Sequence, residues 1–174
     1  MSALRVVPVT IGEARRFVER EHSHHHAPLG GGFAVGVAEG ERLCCVAVVG
    51  RPVARALDAS PTIAEVTRVA SDRTRHAASM CLAAAARGAL AIGFRRLVSY
   101  TTLGESGATY LAAGWRITGL VIPREEGRGW SSRAGRTVIQ RTAKVRWETG
   151  PDALDADGAA ALACALAAWL GQIG

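Results

Sequence analysis

The chain has 174 residues, 49% of them hydrophobic, and a net charge of +6 from 21 basic and 15 acidic groups. That length and apolar content suit one packed globule and argue against disorder or a small disulfide scaffold. No apolar run reaches membrane-spanning length and MSALRVVPVTIG lacks a secretory pattern, so no membrane partner and a cytoplasmic, bacterial-type setting are expected.

Twenty of the basic residues are arginines, and Lys144 is the only lysine. Asp152, Asp155 and Asp157 lie near the C-terminus; residues 1–148 carry 21 basic and 12 acidic groups, a balance of +9. Such a body attracts anions, whether a phosphorylated cofactor, an acidic substrate or nucleic acid. A GC-rich genome is the alternative source of the arginines. Cys44, Cys45, Cys81 and Cys164 lie in apolar segments without CxxC spacing and read as buried free thiols.

In chain order, LRVVPV (4–9) is a β run. TIGEARRFVEREH follows as a helix, with Thr10 and Glu13 in capping-box spacing and Ile11, Ala14, Phe17 and Val18 on one face. EHSHHHAPLGGG (21–32) holds four of the five histidines. His22 and His26 are four apart, and His24, His25 and His26 are consecutive. Three readings stand: acid/base groups at an acceptor site, a metal site, or a solvated loop. Pro28 marks the chain leaving the helix.

A hairpin follows, with strands at 33–38 and 43–49 joined at EGER; the second is apolar almost throughout and should be covered on both faces. RALDASPT reads as a loop. IAEVTRVAS (63–71) is a strand whose alternation places Ile63, Glu65, Thr67 and Val69 on one side. From Ser79 to Gly93 runs a helix of small residues suited to lying close on a sheet. Residues 95–102 form a strand, GESGATYLAAG a short helix, 115–122 a strand, PREEGRGWSSRAGRT a loop and 138–148 the last strand. In that loop Trp130, Arg133 and their neighbouring arginines could clamp a nucleotide or base, or the segment is a plain linker. Over roughly 152–172, Leu162, Leu166, Trp169, Leu170 and Ile173 form one helical stripe, expected to pack on the body or on a second subunit as a homodimer. The expected division is a body at 1–150 and this helix at 151–174.

Chemistry points first to the junction at Val69 to Ser79. A strand ends, a polar loop with Arg73 and Arg75 turns, and a helix begins. Free N–H groups at a helix start attract anions, and guanidinium groups add donors; the plain alternative is an ordinary β-α turn.

The order of elements over roughly residues 3–148 resembles the GNAT superfamily, the Gcn5-related N-acetyltransferases. Arg73-Thr74-Arg75-His76-Ala77-Ala78 is similar to the family's pyrophosphate loop, Q/R-x-x-G-x-G/A. Arg73 and Ala78 match; His76 stands where the family has its central glycine. TYLAAGW resembles the family's aromatic-x-x-x-G-F/W signature, with Tyr110, Gly114 and Trp115 in register. The resemblance implies an α+β fold: a mixed, mostly antiparallel sheet around a β-loop-α cofactor unit. It implies acetyl-CoA, or another acyl-CoA, held by Val69, Arg73, Arg75, His76, Ala77, Ala78 and Ser79. The activity implied is acyl transfer to a small-molecule or peptide amine, with Glu65 or a histidine (His25, His26) as base and Tyr110 protonating the leaving thiolate. Thr67, His22 and His24 would line the acceptor cleft, with Trp130 and Arg133 as further substrate contacts. HHxP, EVTRVASD, the GW strand and KVRWE further resemble GNAT-like phage and prophage proteins distantly similar to Mom, which modifies adenine in DNA. That resemblance implies nucleic acid as an alternative substrate; a metal is allowed but not favoured.

Overall fold

The computed structural model of the chain describes residues 3–21, 31–122 and 142–154. The elements run β1 (Leu4–Val9), α1 (Ile11–Glu21), β2 (Phe33–Glu39), β3 (Arg42–Gly50), α2 (Arg55–Asp58), β4 (Ile63–Ser71), α3 (Ala77–Ala91), β5 (Arg96–Thr102), α4 (Ala108–Ala112), β6 (Arg116–Val121) and β7 (Lys144–Thr149). The strands form one sheet in the order β1-β2-β3-β4-β5-β7-β6. Only β4 and β5 pair in parallel; every other neighbour pair is antiparallel. This is the expected mixed α+β architecture.

Two helices set the layers. Thr10 caps α1: its hydroxyl accepts the Glu13 N–H at 3.2 Å, and the Glu13 carboxylate accepts the Thr10 N–H at 2.8 Å. Its apolar face, Ala14, Phe17 and Val18, packs on Ala34, Val46, Val48 and Ala70. On the opposite face α3 lays Cys81, Leu82, Ala85 and Ala89 against Cys45, Ala47, Val49, Ala64 and Val66. Strand β3 is therefore buried on both sides, as its unbroken apolar run predicts. Cys44, Cys45 and Cys81 are buried free thiols; Cys164 lies outside the described residues.

Four expectations need correction. RALDASPT contains the short helix α2 rather than only a loop. Helix α3 starts at Ala77, two residues before Ser79, because His76 already turns the chain into it. The last strand begins at Lys144, not 138: residues 142–143 precede it, and 138–141 lie outside the described residues. Residues 151–153 are turn and bend rather than the first turn of a helix from 152. They fold back onto the start of β5, where Arg95 grips Asp152 at 2.7 and 2.8 Å. Residues 155–174, including the Leu162–Ile173 stripe, lie outside the described residues.

Candidate active site

The functional geometry begins where two strands separate. Strands β4 and β5 are in register only at Ile63↔Arg96, Ala64↔Leu97 and Glu65↔Val98. Beyond Glu65, β4 keeps only β3 as a ladder partner, and the parallel strands part toward their C-terminal ends. At the first step past the ladder, the Ser99 hydroxyl donates to the Val66 carbonyl at 3.0 Å. A side chain thus satisfies a backbone oxygen that the sheet no longer pairs.

A bulge in β4 helps drive this parting. The register against β3 shifts between Val48↔Arg68 and Val49↔Val66, leaving Thr67 as the extra residue. Bulges bend a strand and raise its local twist. Thr67 returns a hydrogen bond to the Val48 carbonyl at 3.3 Å. The bulge also overturns the expected alternation. Ala64, Val66 and Val69 all face the α3 side, whereas Ala70 faces α1. Glu65 therefore points to the α1 side, opposite Val69, because the period of two slips by one residue between them.

Glu65 is the last β4 residue in register with β5. It is 6% exposed and accepts the Val53 N–H at 2.8 Å. Burial raises its pKa above the ordinary carboxylate value, only partly opposed by the Val53 bond and the charge of Lys144. On the same face of β5 stands Tyr100, whose pKa is raised by burial and then by the Glu65 charge. Farther across, Arg146 donates to the Thr118 hydroxyl at 3.2 Å, and Glu148, fully buried, accepts from Arg96 at 2.8 Å and from the Leu154 N–H at 3.0 Å. Burial pushes the Glu148 carboxyl up, but the Arg96 and Leu154 hydrogen bonds and the charges of Arg96 and Arg146 outweigh it and hold the pKa low.

Tyr110 sits on the opposite, α3-side face. It is 9% exposed, stacks on Trp147 with ring centres 5.1 Å apart and meets Trp115 edge-on at 5.7 Å. Its hydroxyl is 2.9 Å from Ser99 Oγ. Since Ser99 donates to Val66, Tyr110 is the donor in this pair. Burial raises its pKa, which keeps the proton on the phenol. Gly107 makes the stack possible: a Cβ there would lie 2.2 Å from the Trp147 ring, and its φ of +63° also favours glycine.

The anion-loop candidates lie at the mouth of the cleft. Asp72 anchors the turn, accepting the Thr74 N–H at 2.9 Å and pairing with Arg42, which also reaches Thr74. Arg73 and His76 adopt left-handed backbone, with φ of +71° and +65°. That conformation is the physical reason a glycine would suit position 76; a histidine there carries a strain on the order of 1–3 kcal/mol. The side chains of Arg73, Arg75 and His76 are exposed, Ala77 is buried, and Ala78 and Ser79 are half-buried. The N-cap residue of α3, His76, makes no side-chain capping hydrogen bond. The Ala77 N–H is taken by the Thr74 carbonyl at 3.2 Å, and the N–H groups of Ala78 and Ser79 have no intrahelical partner, so the helix start can receive an anion.

Glu65 and Thr67 therefore lie on β4 where the two strands part, the Arg73–Ser79 loop follows the C-terminal end of β4, and Tyr110 lies on the opposite, α3-side face. His22, His24, His25, His26, Trp130 and Arg133 lie outside the described residues. Among the described residues no group of three His, Cys, Asp or Glu side chains could hold a metal, and no helix is long and apolar enough to cross a membrane. Sequence reading missed Ser99, Tyr100, Arg146 and Glu148. Polar residues in the apolar-flanked strands RLVSYTT and KVRWET were the available signal.

This arrangement is the fold of the GNAT acetyltransferases. An acetyltransferase of Salmonella typhimurium, solved with acetyl-CoA, superposes with a TM-score of 0.62 at 11% identity, over 89% of this chain and 98% of that one. A Bacillus subtilis acetyltransferase in complex with CoA gives 0.54 at 15% identity, over 86% and 99%. The polyamine N-acetyltransferase of Drosophila melanogaster gives 0.58 at 11% identity, over 85% and 100%. No protein-family model matches the chain, and no curated protein matches its sequence.

Proposed function

We propose that the chain is an acyl-CoA-dependent N-acyltransferase that moves an acetyl group to an amine. One observation carries the proposal: β4 and β5 part beside a helix start that its own N-cap side chain leaves uncapped, and the last residue of their ladder is a buried carboxylate. The residues fit acetyl-CoA. Arg73, Arg75 and the first-turn N–H groups at Ala78 and Ser79 suit its phosphates, with Val69, His76 and Ala77 shaping the loop. Bound there, it supplies the acyl group as a thioester. Glu65, its affinity for protons raised by burial, takes the proton of the attacking amine. Tyr110, kept protonated, is proposed to supply one to the leaving sulfur. Thr67 borders the acceptor. His22, His24, His25, His26, Trp130 and Arg133 are proposed to complete the acceptor side, with a small-molecule or peptide amine as the substrate class. Titration calorimetry should show acetyl-CoA binding that weakens about tenfold to a hundredfold in Arg73→Ala, the worth of a charge-assisted hydrogen bond. No binding at millimolar cofactor would refute the proposal.

The +9 balance of residues 1–148 favours a second reading, base modification in nucleic acid on the same fold. It requires DNA affinity that falls steeply with salt. The segment 151–174 is proposed to carry, beyond its opening turn at 151–153, a helix that docks on the body or on a second copy, and the setting is proposed as cytoplasmic.

A further inference from the structure

We propose that the chain acetylates itself on Lys144, which is placed to enter the cleft as an acceptor in cis. The inference rests on the acyl-CoA reading above. Lys144 is the only lysine among 21 basic residues, so the sequence supplies one side-chain amine and twenty guanidinium groups that are poor acyl acceptors. Its position is specific. It opens β7 and pairs with Thr102 at the C-terminal end of β5, whereas Glu65 is level with Val98. Lys144 thus stands four residues, roughly 13 Å, toward the mouth from the Glu65 level and two strand spacings across.

Alternation puts it on the face shared by Glu65, Tyr100, Arg146 and Glu148, because Val145 and Trp147 belong to the α3-side core. The side chain is exposed at the mouth, among the described residues without an ion pair to hold it. Its charge is felt at the Glu65 carboxyl, which places the ammonium within electrostatic reach of the proposed base. Arg96 and Arg146 are held by Glu148 on the same face. Lys144 is therefore an exposed cation beside a pinned ion cluster.

The step balances without another reagent. The Lys144 ammonium gives one proton, through water, to the Glu65 carboxylate, and the neutral Nζ attacks the thioester carbonyl. The N–C bond forms, the C–S bond breaks, and the second proton shed by the nitrogen goes to the sulfur, which leaves as the thiol; Glu65 then returns its proton to solvent. The products are N-acetyl-lysine and CoA, and the face loses one positive charge.

The experiment incubates the full chain with acetyl-CoA and follows its intact mass, with peptide mapping of the product and calorimetry of cofactor binding in parallel. The expected result is addition of one acetyl group at Lys144 and none there in Lys144→Arg. Glu65→Gln, which keeps an acceptor for the Val53 N–H, should slow the addition about a hundredfold or more while retaining acetyl-CoA binding and melting temperature. A short acetyl thioester lacking the nucleotide should modify Lys144 far more slowly at equal concentration. A chain that binds acetyl-CoA yet stays unmodified at Lys144 overturns this proposal and leaves the acyltransferase reading standing. Equal rates with the short thioester, or no effect of Glu65→Gln, also overturn it, because Lys144 would then be merely reactive. A chain that takes up no acetyl-CoA overturns both.

Discussion

The two halves of the sheet are held by different physics. At the centre of the first half, β3 is apolar on both faces: Val46 and Val48 meet α1, and Cys45, Ala47 and Val49 meet α3. In β5 and β7 only one face is apolar, where Leu97 and Trp147 join the α3-side core. The other face carries Tyr100, Arg146 and the fully buried Glu148 bound to Arg96. The middle of β3 is a scaffold closed to water. The second half keeps charge at the edge of a cleft, where the parting of β4 from β5 needs polar groups to satisfy it. Apolar burial fixes the fold; the ion network shapes the surface where chemistry is proposed.

The largest effect should come from breaking the charged half. Glu148→Gln leaves two guanidinium groups partly buried without their carboxylate and should cost about 3–5 kcal/mol in chemical denaturation. Because the folded pKa of Glu148 is depressed, its contribution is complete above the ordinary carboxylate value and is lost as pH falls through the folded value. The gap between wild type and Glu148→Gln should therefore hold near neutrality and narrow below about pH 4. A constant gap down to pH 2 would show that the charge is not what the network contributes.

In the apolar half, Val48→Ala removes two methyl groups from a site with no exposure. About 2 kcal/mol is expected from lost transfer and a small cavity, unchanged by pH or salt between pH 5 and 8. A marked salt dependence would break the contrast between the halves. The smallest effect concerns the entry to α1. Thr10→Ala should cost about 1 kcal/mol in melting or denaturant midpoint by releasing the capping box.

Much of the apolar half was legible in the sequence. The Thr10/Glu13 spacing gave the helix start, and the run at 43–49 gave a strand covered on both faces, because both signals are local. The β4 face assignment was not legible. Thr67 looks like any β-branched strand residue, and only the partner register reveals a bulge. Tyr110 and the Arg73–Ala78 loop were found through their motifs, while the left-handed backbone at His76 was hidden by a residue that rarely adopts it. Ser99 and Glu148 escaped because their importance lies in partners far along the chain: Tyr110 and Val66 for one, Arg96 and Leu154 for the other.

Gly107 gives the molecule an unusual sensitivity. The residue lies in the turn before α4, remote in sequence from β4, yet the Trp147 ring occupies the space any side chain there would need. That ring supports Tyr110, Tyr110 donates to Ser99, and Ser99 bridges the first step past the β4–β5 ladder. A single methyl group at position 107 would be transmitted through two aromatic planes and two hydroxyls to the depth at which the sheet opens. A turn residue thereby acts as a gauge block for the cleft.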